Sequence, residues 1–248
     1  MKMNKITGVY FAIILGILTV QGVSAQDKII TDRPDFTESG ISVPKGSVQL
    51  EGGFLWVDHG SLQTFSIPDA LVRVGIRDGL EVRIGIPDYE DREFVRGIGD
   101  ISVGAKLEFD DLLQDWQVAG IATLELPTGA DDISGDGVGL EVILAGGTEL
   151  NEDWTFGAQT SVGFASDNGD TNFEIGGTVV AGTSVTDELA AFFELAMSIP
   201  EHGGLGLILH SGLTYLLGDN LQLDLHVGLG LTDSAPDALF GTGISVIL

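Results

Sequence analysis

Carboxylate, guanidinium, ammonium and imidazole side chains recur at alternate positions along much of this chain. That spacing confines them to one face of extended strands. The segment 221–231 is the clearest case: Gln222, Asp224 and His226 share a face with Gly228 and Gly230. The opposite face carries only Leu221, Leu223, Leu225, Val227, Leu229 and Leu231. Extending this parity to the other segments collects the acids Glu51, Glu81, Asp100, Glu108, Glu125, Glu141, Glu174, Glu194 and Asp224. The bases collected with them are Arg73, Arg83, Lys106, His210 and His226. Two kinds of chemistry fit such a face. One is a water-filled lumen whose excess of carboxylates favours cations or neutral solutes over anions. The other is a salt-bridged packing network that fills a narrow interior.

The spacing sets some of these groups together. A tight turn at 77–79 brings Arg73 opposite Arg83, and like charges across a strand pair repel, so carboxylates such as Glu81 must approach them. Centring the connection 128–137 places Ile121 opposite Ile143, with Glu125 and Glu141 diagonal to each other. Val180, Phe192 and Ile208 also point inward, either as an apolar strip for a solute or as packing for another part of the chain. His210 and His226 fall on neighbouring strands beside Asp224. Two histidines without further fixed ligands more often pack in a polar interior than bind an ion, so no metal or cofactor is expected. Asp167 to Asn172 has a calcium-like composition but lacks EF-hand spacing and its terminal Glu. His59, Ser61 and His202 near one rim are the only candidates for hydrolysis, without a Gly-x-Ser-x-Gly elbow or a His-Glu-x-x-His site.

The elements that must position these groups are strands. Alternation predicts about twelve, at 47–57, 62–76, 80–87, 99–109, 116–127, 138–150, 154–165, 172–185, 189–199, 205–217, 221–231 and 239–248. Tight turns are expected at 77–79, 151–153, 186–188 and 218–220. Longer loops are expected at 88–98, 128–137, 166–171, 200–204 and 232–238. Short turns at one end and long loops at the other are the outer-membrane pattern. It puts Asp78, Asn151, Asp187 and Asp219 in the periplasm and Asp91, Asp132, Asp170 and Asp237 on the cell surface. The non-polar face, including Val72, Val82, Val103, Leu124, Val162, Phe193 and Leu225, is charge-free in its central parts. Trp56, Trp116 and Trp154 stand at strand ends, as interfacial girdles do. A soluble sandwich would have shorter strands and a more polar outer face. The fold class expected is therefore all-β: a closed antiparallel transmembrane barrel over 47–248.

Composition sets the address. Lys2 and Lys5, the apolar run 9–20 and Val23-Ser24-Ala25 read as a cleaved signal over 1–25, directing Sec-dependent export. The chain has no cysteine, so thiol chemistry and disulfides are excluded. Its formal charge of −26 argues against nucleic acid and against peripheral binding to an anionic membrane surface. Mean hydropathy is positive, +0.28, although no span-length apolar run follows residue 25. Lipid-facing strands produce that combination.

Residues 26–46 lack sustained alternation and are expected either in the periplasm or folded back into the lumen as a plug. They contain Thr31, Asp32, Arg33, Pro34, Asp35, Phe36, Thr37 and Glu38. This string resembles the N-terminal signature of the phenol-degradation MetA-pathway family of bacterial outer-membrane proteins. The strands ending Gly104-Ala105-Lys106 and Pro127-Thr128-Gly129, and the closing strand 241–248, match as well. The resemblance implies an outer-membrane barrel with transporter-like activity toward hydrophobic or aromatic compounds, and it carries no catalytic residues. One departure is the terminal Leu248 where such barrels commonly end on an aromatic, although Phe240, Thr242, Ile244, Val246 and Leu248 keep the alternation of an assembly signal. The expected partners are outer-membrane lipid and lipopolysaccharide, the outer-membrane assembly machinery and a small-molecule solute. A porin-like channel leads; a structural or adhesive barrel with an occluded lumen is the alternative, and an outer-membrane hydrolase comes last.

Overall fold

The computed structural model describes residues 28–60, 62–92, 95–135, 137–167 and 170–248. The expected signal segment 1–25 and the rim residue Ser61 lie outside the described residues. Fifteen strand segments follow in order: β1 (Val48–Asp58), β2 (Gln63–Ile67), β3 (Ala70–Arg77), β4 (Leu80–Ile86), β5 (Tyr89–Arg92), β6 (Val95–Ile98), β7 (Ile101–Glu108), β8 (Gln117–Leu126), β9 (Gly139–Glu149), β10 (Trp154–Asp167), β11 (Asp170–Ser184), β12 (Leu189–Pro200), β13 (Gly206–Leu216), β14 (Leu221–Gly230) and β15 (Ala238–Ile247). Each pairs antiparallel with its neighbour, and β15 returns to pair with β1 from Gln49–Ile247 to Asp58–Ala238. The sheet is closed, so its polar backbone edges are satisfied inside lipid.

Fifteen segments make twelve wall strands because β2–β3, β4–β5 and β6–β7 are each one strand broken once. On one side of the breaks Val72, Ile84 and Val103 are neighbours on the outer face; on the other side Ile67, Tyr89 and Ile98 are. Each strand covers that interval with an odd number of residues, so each holds one extra residue and its parity reverses. The breaks fall at Pro68-Asp69, Pro87-Asp88 and Gly99-Asp100; the three strands stay in register with one another across them, and β2–β3 slips by one residue against β1, as at a bulge. Proline cannot donate to a ladder, and Asp69 adopts φ 43°, a left-handed conformation that Asp tolerates better than most residues. The break is stitched: the Asp69 amide donates to Asp88 Oδ1 at 2.7 Å, and the Gly99 amide to the Asp88 carbonyl at 2.8 Å.

Two expectations are corrected here. The strand expected at 62–76 is two segments with opposite parity. The loop expected at 88–98 is largely the hairpin β5–β6, which carries its wall strands past the apolar band. It lacks apolar alternation because it stands clear of lipid, with Arg96 Nε 2.9 Å from Asp91 on its outer side. A third difference is the longer connection between β7 and β8, at the same end as the tight turns. The remaining turns agree in kind, with Gly79 at φ 72° and Gly218 at φ 84° in left-handed conformations that glycine adopts without steric cost.

The outer wall is apolar along its length, with Val103, Leu124, Val142, Val162, Phe193, Leu213, Leu225 and Phe240 exposed. Trp116 meets Phe156 edge-on at 6.0 Å near the end that carries the tight turns. The even strand count brings both chain ends of the barrel to that end, where Ile29, Val43 and Ile247 form a small core. Since the chain lacks cysteine, single cysteines report sidedness directly. Asp132→Cys and Asp237→Cys are expected to react with a membrane-impermeant maleimide on intact cells, and Asp78→Cys and Asn151→Cys only after lysis. Equal labelling of both pairs would contradict this orientation.

Candidate functional site: the crossed lumen

Residues 28–46 run inside the barrel. Their backbone amides cannot be left dry, and the inward carboxylates of the wall accept them. Glu51 accepts the amides of Asp32 and Arg33, Glu81 that of Val43, Glu108 that of Ser42, and Glu194 that of Phe36. Wall carboxylates and segment amides thus satisfy each other.

The segment returns the favour to the wall cations. Arg73 and Arg83 are indeed opposite one another, and Asp32 enters between them. Its carboxylate lies 2.6 Å from Arg83, 3.1 Å from Arg73 and 2.7 Å from Lys106 Nζ. Arg73 also pairs with Glu51 at 2.9 Å and Glu81 at 2.8 Å, and Arg83 with Glu38 at 2.8 Å. Arg73, Glu81 and Lys106 are fully buried. Pairs of this kind are costly to dehydrate, and removing one member leaves a stranded charge.

Burial works to raise the Asp32 carboxyl, but Arg73, Lys106 and Arg83 overrule it and hold it well below the usual carboxylate range. Glu38 goes the other way. Burial and the neighbouring Asp32 charge push it up to about 7 despite Arg83 and Lys106. Burial and Glu194 also push Asp35 well above its ordinary value. A carboxyl raised on folding costs stability as pH rises from its unfolded value through its folded one. Melting temperature is therefore expected to fall between about pH 5 and about pH 8, and Glu38→Gln to flatten that slope. An unchanged slope would remove Glu38 from this account.

On the far wall Glu194 is a clasp. It accepts from Phe36 N at 2.9 Å, Thr37 Oγ1 at 2.6 Å and His210 Nδ1 at 2.7 Å. With that proton given to Glu194, His210 Nε2 accepts from His226 Nδ1 at 2.8 Å. The two histidines bond each other rather than opening toward a shared ion, and among the described residues no His, Cys, Asp or Glu group is arranged to hold a metal. Asp224 is held by Arg33, which also pairs with Asp69 at the first bulge.

Four of the expected inward acids, Glu141, Glu174, Glu125 and Asp100, stay outside this network. Glu141 and Glu174 line a cavity of about 420 Å³ on the side of the long loops, with Phe36, Glu38, Ile143, Met197 and Ile208. Glu125 lines a neighbouring cavity of about 480 Å³ with Glu90, Asp100 and Asp131. Asp100 itself organises the connection 127–138, accepting from the Thr128 and Gly129 amides and Ser134. Ile121 and Ile143 pair across β8 and β9 as expected and are buried with Ala145. At the other end a cavity of about 430 Å³ is lined by Ile29, Pro34, Asp35, Glu149, Asp153 and Phe192. His59 and His202 are exposed, each in its own turn.

Sequence analysis gave no role to several working residues. Gln49 and Gln222 share the inward face with Glu51 and Asp224. Gln49 donates to the Ile30 carbonyl at 2.9 Å and Gln222 to Thr31 Oγ1 at 2.8 Å. Gln159 accepts the Glu38 amide at 2.8 Å. Their parity was visible; their partners required knowing where the segment runs. Phe36 carried no such signal, and it stacks on His210 with centroids 4.3 Å apart.

Solved structures share this barrel. An outer membrane channel from Pseudomonas putida F1 aligns with a TM-score of 0.65 at 12% identity, over 84% of this chain and 97% of that one. The NanC porin aligns at 0.57 and 10% identity, over 80% and 98%, and the KdgM porin in complex with disordered oligogalacturonate at 0.56 and 12%, over 81% and 98%. The shared fold is that of Gram-negative outer-membrane barrels, and the apolar outer band sets this chain in that membrane. A search of curated proteins finds no match. The family model described as "Putative MetA-pathway of phenol degradation" matches residues 31–248, beginning at the first residue of the Thr31–Glu38 string, and the chain belongs to that family.

Proposed function

We propose that the protein is an outer-membrane channel for small solutes, including hydrophobic or aromatic ones, that admits cations and neutral molecules in preference to anions. The observation that carries this reading is the composition of the outer cavity. Glu141 and Glu174 face it from β9 and β11, and both are in register with Gly163 on the strand between. No side chain fills that position, and the space beside the Gly163 backbone is open. The carboxylates thus flank a gap roughly 10 Å wide between backbones. Ile143, Met197, Ile208 and Phe36 supply an apolar wall, and no Lys, Arg or His lines the cavity. Such a chamber suits a molecule with an apolar body and repels anions. The oligogalacturonate of one structural neighbour is a polyanion, a cargo these carboxylates would exclude.

A barrel with an occluded lumen is the second reading, and the crossing segment favours it. Hydrolysis has less support, because His59 and His202 sit in separate turns. As an outer-membrane barrel the chain contacts membrane lipid; lipopolysaccharide, the assembly machinery and the solute remain part of the proposal. Reversal potentials under a salt gradient separate the first two readings. Wild type is expected to prefer cations, and Glu141→Gln with Glu174→Gln to shift toward neutrality, as Glu125→Gln with Glu141→Gln also would. A conducting wild type that prefers anions would overturn the selectivity, and a silent barrel would favour occlusion.

A further inference from the structure

The outer and inner cavities lie on the same side of the lumen and nearly meet. On β10 the outer lining stops at Gln159 and the inner begins at Thr155, leaving Gly157 between. On β11 they stop at Thr178 and Gly182, leaving Val180; on β12 at Ala196 and Phe192, leaving Glu194. One row of inward residues therefore separates two chambers of about 420 and 430 Å³. The crossing segment is equally thin there. Phe36 lines the outer chamber and the adjacent Asp35 the inner one. The septum is capped by three rings: Phe36 stacked on His210, and Phe192 edge-on to His210 at 5.1 Å.

Resting on the channel reading, we propose that Phe36 is the gate of this channel and sets the size of solute that passes, while the remainder of the segment stays in place. Withdrawing the whole segment would strand Asp32 from Arg73, Arg83 and Lys106, Arg33 from Asp224, and Glu194 from Thr37. Lys106 and Asp224 would be left buried without an ion partner, and Arg73, Arg83 and Glu194 with fewer partners than they now have. Turning the Phe36 side chain breaks none of these bonds. It forfeits one ring stack, and side-chain rotation is fast on the scale of solute passage. Apolar constrictions close pores by excluding water, so the ring both blocks and dries the path.

Single-channel conductance of the full chain tests this. Phe36→Ala is expected to raise conductance about threefold or more, Phe36→Leu by less, and Phe36→Trp to lower it below wild type. Leu keeps an apolar group on His210 if the alanine variant assembles poorly. A lock separates the gate from withdrawal of the segment. Thr37 and Thr178 hydroxyls are 2.6 Å apart, so Thr37→Cys with Thr178→Cys should close a disulfide that ties the segment to β11. Added to Phe36→Ala, the closed lock is expected to leave the raised conductance unchanged. Conductance indifferent to residue 36, or abolished by the closed lock and restored by a reductant, would overturn the gate while leaving the channel standing. Silence of wild type and every variant in membranes with verified insertion would overturn the channel reading itself.

Discussion

Replacing Asp32 with alanine is expected to destabilise the barrel interior by about 3–5 kcal/mol, the usual cost of stranding buried charges. Lys106, Arg73 and Arg83 all converge on this one carboxylate, and Oδ1 also accepts the Ser39 amide at 3.0 Å. Asp32→Asn is no remedy, because its ion-pair partners are all cations and an amide NH₂ would point at one of them. The released segment should become sensitive to added protease while the barrel stays folded on gels. Because the Asp32 carboxyl is held below its unfolded value, its contribution is present throughout neutral pH and fades only as pH falls through its folded value. Wild-type protease resistance in Asp32→Ala would mean that the segment is held by its backbone bonds alone.

The second large effect concerns the wall. Val103→Arg or Leu225→Arg turns a charge toward hydrocarbon and is expected to cost about 2–4 kcal/mol near the midplane, reducing assembled barrel in outer-membrane fractions. Val103 and Leu225 are 36% and 44% exposed on the lipid side. Ser102→Arg should be milder, since Ser102 is in register with Glu125 on the neighbouring strand. Gln222→Arg, which strand parity alone would class with it, is not mild in this structure. Gln222 is 6% exposed against Thr31 and Arg33, so a second cation there would crowd the first. If Ser102→Arg were the more damaging of the pair with Val103→Arg, the strand would be off by one residue.

Strand identity, wall face and lumen face were legible because a period of two survives wherever one side meets lipid. The register followed from where the connections fall: Ile121 meets Ile143, and Arg73 meets Arg83. What parity could not read were the places where it reverses. At Pro68-Asp69, Pro87-Asp88 and Gly99-Asp100 one extra residue exchanges the faces, and beyond the membrane no sustained apolar alternation marks the hairpin β5–β6. The interior was half legible. Glu51, Glu81 and Glu194 face inward by parity, but nothing in their own strands says that they accept backbone amides. That follows from residues 28–46, a segment without periodicity whose course depends on its partners. The interior divides into two regions. Around Asp32 the charges pack, whereas Glu141 and Glu174 stand open in a cavity.

Current through single full-length barrels is the most direct measurement of the central claim, made in a planar bilayer with a salt gradient and insertion verified independently. A crossed but passable lumen lined by carboxylates predicts a small, finite conductance whose reversal potential lies toward that of the cation. An inserted barrel that passes no current, or one that prefers anions, would contradict it.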